Sequence, residues 1–251
     1  MYQVKNFIEK SSRAPLASLV KNEKPEDKNF KIKTITFNSA ETELIDSNAK
    51  KNESPLGANI FLIAACAHIV NNINIKRNMS GKTLWIPVPY DGRKRGGFGP
   101  VVTNCISFLF YRIPVSELSS IKQTVRCIKE QMTEQIKMDM PRKYNILLDM
   151  MRYIPLNLYS FITTRSSKGV VASFLFSSAG QDIWDMNTLM DKPLDDILVI
   201  PPFTFPPGLM FSFLRYNNNL KVNIVYSEST INTEEFESIS TNIKKHLLAN
   251  Y

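Results

Sequence analysis

Apolar residues change their spacing along the chain in a way that predicts strands separated by pairs of helices. Phe30–Phe37 alternates apolar and polar side chains, which is typical of a strand. Ser39 is predicted to cap a helix that begins near Ala40. Residues 56–75 predict a second helix, apolar on most faces up to Val70. We therefore expect this second helix to lie in the core.

The most distinctive stretch, Lys82–Pro114, predicts a strand, a basic glycine-rich loop and a second strand. Its first apolar run stops at Pro89, and the second covers Val101–Tyr111. Between them, Asp91–Gly97 combines charge with glycine. Proline fixes φ and glycine frees it, so the two residue types mark where regular structure ends.

The next segment predicts the clearest amphipathic helix, with a cap at Ser116 and an end at Pro141. Its apolar residues recur at spacings of three and four, namely Leu118, Ile121, Val125, Ile128, Met132 and Ile136. Residues 144–161 follow, rich in methionine and aromatic residues and interrupted by Pro155. They predict either a kinked, buried helix or a surface that meets lipid or an apolar substrate.

The C-terminal part predicts several strands and a last helix. Residues 170–177 have the composition of a strand, and the proline-rich residues 197–205 predict an edge strand or a loop. A hairpin pairs residues 210–215 with 220–226, and the last helix begins after an Asn232 cap. Because helices come in pairs between strands, the expected fold is α/β, a two-layer sandwich with a mixed β-sheet covered by helices.

Composition agrees with an ordinary globular protein, since 43% of the 251 residues are hydrophobic and 22% are charged. The polar residues 1–29 are expected to be an extension or linker, and residues 30–251 one lobe. The longest apolar stretch, residues 58–70, is too short to span a bilayer. Residues 1–10 lack the apolar core of a signal peptide, so we expect a cytoplasmic protein.

The net charge of +8 is spread along the chain, which favours a solvated basic surface over a nucleic-acid site. The three cysteines lie far apart in apolar runs, so we expect reduced, buried thiols and no metal site. Of the two histidines, His68 is expected in the core or at a helix edge, and His246 on the surface near a helix C-terminus.

Four of these segments, taken in order, resemble a known superfamily. They are SPLGANIFLIAACAHIV (54–70), TLWIPVPYDGRKRG (83–96), GPVVTNCISFLFYRIP (99–114) and SFLFSSAG (173–180). The chain resembles the C-terminal half of the condensation-domain, or chloramphenicol acetyltransferase-like, acyltransferases. Its nearest kin within them look like the alcohol O-acyltransferases, including wax ester/diacylglycerol synthases. The resemblance covers roughly residues 30–250.

The resemblance implies an active-site tunnel between two lobes. There, a histidine of an HHxxxDG signature activates an alcohol that attacks an acyl thioester of coenzyme A (CoA) or of a carrier protein. This chain lacks the signature. The resemblance therefore implies a lobe that shapes the tunnel for acyl-CoA and a hydrophobic alcohol, and that carries no catalytic residue, cofactor or metal.

Two interpretations of such a lobe stay open. An N-terminal lobe supplied in cis or in trans would complete an enzyme of lipid metabolism. Alternatively, the chain would be a non-catalytic binding or assembly protein that reuses the fold as a homodimer.

Six residues are candidates for contact with substrate or CoA: Asp91, Arg93, Arg95, Asn104, Ser177 and Ser178. The arginines, flanked by glycines, suit the phosphates of CoA, with a solvated loop as the alternative. Asn104 enters an apolar strand, where its amide needs partners, so it either fixes the loop or faces the tunnel. Asp91 is expected to pair with Arg93 or with the opposite lobe, and the two serines either line the tunnel or serve the structure.

Overall fold

The computed structural model describes residues 15–20, 29–55, 57–79, 81–92, 105–158, 172–179 and 188–249. The elements in chain order are β1 (Phe30–Phe37), α1 (Ser39–Lys51), α2 (Asn59–Lys76), β2 (Thr83–Asp91), β3 (Ile106–Pro114), α3 (Ile121–Lys137), α4 (Met140–Met151), β4 (Leu175–Ser178), β5 (Thr188–Leu189), β6 (Lys192–Pro193), β7 (Leu209–Tyr216), β8 (Asn219–Ser227) and α5 (Thr233–Leu248).

A four-stranded mixed sheet with the order β1-β8-β7-β4 is the centre of the fold. β8 runs antiparallel to β1 and β7, whereas β4 runs parallel to β7. Alternate residues of the sheet, such as Phe211 and Ile224, enter one core with helices α1, α2 and α5. Helix α2 is buried over Phe61–Ala67, as its apolar sequence predicts. The predicted α/β fold, a mixed sheet covered by helices, is confirmed.

The second sheet is the antiparallel β2–β3 hairpin, which is longer than predicted. β2 does not stop at Pro89 but continues through Pro87 and Pro89 to Asp91. Gly92 and Cys105 pair through a backbone hydrogen bond, so by alternation the backbone N of Pro87 and Pro89 points away from β3. A proline costs no ladder bond at such edge positions, which explains why the strand tolerates both.

Two glutamines of α3 occupy the outer edge of β3. Gln135 accepts from the Phe110 N–H at 3.0 Å and donates to the Phe110 carbonyl at 2.8 Å. Gln131 makes the same pair of bonds with Arg112, at 2.8 and 2.6 Å. Residues four apart lie on one helix face, so the two carboxamides take the place of a neighbouring strand.

Three predicted helix ends are wrong by a few residues. Asn38, not Ser39, caps α1. Its side chain accepts from the Glu41 N–H, and its own N–H donates to the Glu41 carboxylate. Ser120, not Ser116, caps α3. The helix ends at Lys137 rather than at Pro141. That proline is instead the second residue of α4, in the first turn, where a missing N–H costs nothing.

The segment predicted as a buried helix at residues 144–161 is buried only in part. Met140, Pro141 and Tyr144 of α4 are buried, but Ile146 and Met150 are about half exposed. Tyr153 beyond the helix is 90% exposed. The buried interpretation is therefore wrong for this outer face, and residues 159–161 lie outside the described residues.

The C-terminal hairpin and helix agree with the sequence prediction. Asn217 and Asn218 join β7 to β8 and both have positive φ, at 48° and 60°. Asn232 and Glu235 form the predicted capping box of α5. Of the strand predicted at 170–177, residues 170–171 lie outside the described residues, and β4 begins only at Leu175. The segment at 197–205 is a loop rather than a strand.

Part of the predicted N-terminal extension lies against the body of the protein. Leu16 forms a bridge with Thr83, and the Ala17 N–H donates to the Thr83 carbonyl at 2.8 Å. Ala17 and Leu19 are buried in the main core. Residues 15–20 therefore contribute to the folded unit, while the predicted boundary at residue 30 stays a prediction.

Candidate functional site

The open end of the β2–β3 hairpin carries Asp91. This residue ends β2 opposite Ile106, and its side chain is exposed. The next residue, Gly92, donates its N–H to the Cys105 carbonyl at 2.9 Å. A Cβ at Gly92 would lie 2.9 Å from that same oxygen, so the close approach of the backbone at Gly92 to Cys105 favours glycine.

Three predicted site residues, Arg93, Arg95 and Asn104, belong to the connection between β2 and β3. They lie outside the described residues. Their roles in binding phosphate or in facing a tunnel therefore stay predictions. The hairpin nevertheless fixes where this connection leaves and rejoins the fold, at Gly92 and Cys105.

Ser177 and Ser178 end strand β4. Ser177 lies opposite Ser212 of β7, and Ser178 donates its hydroxyl to Asn59 Oδ1 at 2.8 Å. Asn59 is the first residue of α2, whose N-cap, Ala58, has no side chain that can cap. The end of β4 thus meets a helix start, where the first N–H groups lack intrahelical partners.

Sequence reasoning missed Asn59. Its amide stands in the sequence between a turn and a long apolar helix. Local polarity alone does not distinguish a functional residue at this position from an ordinary first residue of a helix.

The candidate residues are divided between neighbouring sheets. Asp91 belongs to the two-stranded sheet, and Ser177 and Ser178 to the four-stranded one. The two sheets adjoin where the Ser173 N–H donates to the Trp85 carbonyl at 2.8 Å and the Trp85 N–H donates to the Ser173 hydroxyl at 3.0 Å. The structure thus brings Ser178 together with Asn59, and it places Asp91 on an adjacent element.

His68 lies half-buried on α2, at a helix edge as predicted. Its Nε2 is 3.0 Å from Thr124 Oγ1, and the single Thr124 hydroxyl proton is directed at the backbone carbonyls of Glu117 and Ser120. Thr124 must therefore accept from His68, so Nε2 carries the ring proton. This bond orients the ring within the fold and favours a structural role for His68.

The expectation that His246 lies on the surface is wrong. The ring is half-buried and packs against His68, with ring centroids 5.9 Å apart. Burial and the neighbouring His246 lower the pKa of His68 to about 4. Burial and Lys245 also lower the pKa of His246. Both rings are thus held in the neutral form near pH 7.

Mild acid is expected to destabilise the fold through this histidine pair. In the unfolded chain both rings titrate near pH 6.5, so the unfolded state binds protons before the folded state does. Stability is therefore full above that pH and is lost as the pH falls toward 4. We expect the free energy of unfolding to drop by about 1–2 kcal/mol between pH 7 and pH 5, measured by urea denaturation.

The matched control for this pH dependence is His68→Gln. Its amide keeps a donor for Thr124 but does not titrate, so the variant should lose most of the difference between the two pH values. If the variant has the same pH dependence as the wild type, the carboxylates rather than His68 cause it.

Two grooves of about 610 and 510 Å³ flank α3. The larger groove is lined mostly by charged residues, and two of them, Glu53 and Arg126, form an ion pair with a bond of 2.6 Å. Arg126 lowers the pKa of Glu53 to about 2. Neither groove contains Asp91, Ser177 or Ser178.

The described part of the chain shows neither a metal site nor a membrane span. His, Cys, Asp and Glu side chains form no cluster there that could hold a metal ion. Within those same residues, no helix has both the length and the apolar character needed to cross a membrane.

Comparison with known families places these features in context. Residues 102–238, more than half of the chain, match the family described as the WS/DGAT C-terminal domain. The chain belongs to this family. No curated protein sequence matches this WS/DGAT C-terminal domain at a significant level.

Solved structures similar to this WS/DGAT C-terminal domain include TRI3 trichothecene 15-O-acetyltransferase from Fusarium sporotrichioides. The TM-score is 0.64 at 14% identity, over 98% of this chain and 52% of that one. The epimerization domain from the third module of tyrocidine synthetase B gives 0.62 at 14% identity, over 98% and 54%. Polyketide synthase associated protein 5 from Mycobacterium tuberculosis gives 0.57 at 12% identity, over 88% and 53%.

Identities this low show the fold alone. The WS/DGAT C-terminal domain described here spans about half the length of each of these structures. The predicted resemblance to the C-terminal lobe of condensation-domain and acetyltransferase-like proteins is confirmed.

Proposed function

We propose that this chain is the C-terminal lobe of a CoA-dependent acyltransferase that moves an acyl group from a thioester to a hydrophobic alcohol. The match of residues 102–238 to the WS/DGAT C-terminal domain carries the proposal. The lobe contributes walls of the substrate tunnel, and a second lobe brings the catalytic histidine. Acyl-CoA or an acyl-carrier thioester is a co-substrate, so the reaction needs no bound cofactor.

The positions of Asp91 and of the β4 serines support this role. The basic, glycine-containing residues 93–97 follow Asp91 and Gly92 in the sequence, and arginine side chains suit the phosphates of CoA. Ser178 and Asn59 place a hydroxyl and an amide at the end of β4, groups that hydrogen-bond a carbonyl or an amide of a substrate. His68 is oriented inside the fold by Thr124, which leaves the general base to another lobe.

A second interpretation is a non-catalytic homodimer or assembly protein. It is favoured by the exposed apolar side chains of α4 and the residues after it, among them Ile146, Met150, Tyr153 and Leu156. An apolar surface of this kind suits a second protein surface or a membrane. A peripheral contact with lipid would also bring an enzyme to a hydrophobic alcohol.

Binding of CoA is expected to depend on Arg93 and Arg95. We expect calorimetric titration of octanoyl-CoA to give at least a ~10-fold weaker affinity for the Arg93→Ala/Arg95→Ala variant than for the wild type, because each guanidinium contributes charge-assisted bonds to phosphate. Unacylated CoA should show the same loss, since the phosphates are common to both ligands.

The matched control is Arg142→Ala/Arg152→Ala, which removes two exposed positive charges on and after α4. This variant should bind like the wild type, which separates a local site from general charge attraction. Equal affinity in both double variants would remove the phosphate role of the two arginines. If the wild type binds neither ligand and is a stable dimer in sedimentation, the homodimer interpretation replaces the enzyme one.

A further inference from the structure

In the part of the chain that the structure describes, a loop rather than a helix crosses the face of the central sheet opposite α1, α2 and α5. Strand alternation directs Tyr216, Lys221 and Asn223 to this face, because their neighbours Leu220, Val222 and Ile224 enter the helix-side core. Residues 194–205, here called the strap, run across the face between β6 and β7. At the far edge of the sheet, Phe203 of the strap packs edge-on against Phe30 of β1, with ring centroids 4.7 Å apart.

Three donors of the sheet meet three oxygens of the strap. The Tyr216 hydroxyl donates to the Leu194 carbonyl at 3.0 Å. The Asn223 amide donates to the Val199 carbonyl at 3.0 Å. Between them along the strap, the Lys221 ammonium forms an ion pair with the Asp196 carboxylate. The sheet therefore contributes donors and the strap contributes acceptors.

The partners on the two sides differ greatly in burial. Only 8% of the Lys221 side chain is exposed, whereas 64% of the Asp196 side chain is exposed. Asn223 is fully buried, and its Oδ1 accepts from the Thr34 hydroxyl at 2.7 Å, which directs its amide N–H groups toward the strap. A buried ammonium is costly without an anion, so Lys221 favours a negatively charged partner at this place on the sheet.

These polar contacts hold the strap, together with the contact between the Phe203 and Phe30 rings. Its apolar side chains Leu198 and Ile200 are about half exposed rather than packed into the core. A segment with few buried apolar contacts opens at low free energy. An external anion can therefore compete with the strap for the donors on the sheet.

We propose that Lys221, with Tyr216 and Asn223 on either side, is the centre of a binding site for a carboxylate-bearing ligand on the face of the sheet that the strap crosses, and that Asp196 of the strap holds the place of this ligand on Lys221 as an internal carboxylate. The site lies on β7 and β8, apart from the candidate residues at the ends of β2 and β4. It does not depend on the proposed acyltransferase activity, and it takes an organic carboxylate that presents its oxygens where those of Asp196 lie. The hydroxyl and the amide, which bond the Leu194 and Val199 carbonyls of the strap, are donors for further polar groups of a ligand that displaces the strap.

The test uses the full chain and succinate as the probe. Asp196→Asn removes the internal carboxylate but keeps the size of the side chain, and Asp195→Asn makes the same change at the exposed neighbouring residue. Calorimetric titration should show succinate binding at least ~10-fold more tightly to Asp196→Asn than to the wild type or to Asp195→Asn. Lys221→Met in the Asp196→Asn background should abolish this binding.

Each outcome decides the matter. Equal succinate affinity in Asp196→Asn and Asp195→Asn overturns the proposal, and this comparison needs no change at Lys221. Retention of binding after Lys221→Met also overturns it. If the double variant does not fold, succinate-induced amide shifts in Asp196→Asn must map to Tyr216, Lys221 and Asn223, and shifts elsewhere refute the site. Inorganic phosphate binding as tightly as succinate contradicts the choice of a carboxylate.

Discussion

Replacing Arg77 with alanine is expected to lower the free energy of unfolding by about 3 kcal/mol. Arg77 follows α2 and pairs with both carboxylate oxygens of Glu235, each at 2.5 Å. It also donates to the Leu19 carbonyl at 2.8 Å and the Thr230 carbonyl at 2.5 Å. The substitution leaves a largely buried carboxylate and two carbonyls without this donor, and it weakens the start of α5.

Urea denaturation measures the loss, with Arg215→Ala as the matched control. Arg215 is similarly buried but, among the described residues, pairs with Asp46 alone, at 2.8 and 2.9 Å, so its removal should cost about half as much. Arg77→Lys should fall between, because it keeps the charge and loses the planar fork. A smaller loss for Arg77→Ala than for Arg215→Ala would show that Arg77 does not hold these segments together.

Gly208→Ala is expected to destabilise the fold by about 3 kcal/mol, from backbone strain and a clash together. Gly208 has φ of +73°, and a Cβ there would lie 2.3 Å from Thr230 Oγ1 and 2.9 Å from the Phe205 ring. Its carbonyl accepts from the Ser227 N–H at 2.9 Å, which fixes the backbone where the strap enters β7. Neither contact can be relieved without moving this junction.

Gly57→Ala separates the two costs. Gly57 also has positive φ, at +126°, but a Cβ there meets nothing within 4 Å. It should therefore cost only the strain, about 1–2 kcal/mol. Equal losses for Gly57→Ala and Gly208→Ala in urea denaturation would show that the clash with Thr230 is absorbed by local movement.

Features that depend on neighbouring residues in the chain were predictable from sequence. The Asn217–Asn218 turn and the Asn232–Glu235 capping box use short-range chemistry that adjacent residues fully specify. Helix α2 was predictable because apolar residues occupy most of its faces up to Val70. The family resemblance was carried by the order of several weak motifs, which is also a property of the sequence alone.

Features that depend on distant partners were not predictable. Pro89 indicated the end of a strand by its sequence, and only the pairing of β2 with β3 shows that its nitrogen, like that of Pro87, points away from β3. His246 was assigned to the surface because its neighbours are lysines, whereas packing against His68 decides its burial. Asn59 could not be predicted as a site residue, because its contact with Ser178 depends on the packing of β4 against the start of α2.

The edges of the β2–β3 hairpin also affect how the protein avoids aggregation. Exposed strand edges add further strands from other molecules, which leads to sheet growth. On β2, Pro87 and Pro89 have no N–H to offer an incoming strand. On β3, Gln131 and Gln135 already occupy the backbone groups of Phe110 and Arg112. Along these positions, a partner of the hairpin must therefore recognise its side chains rather than extend its sheet.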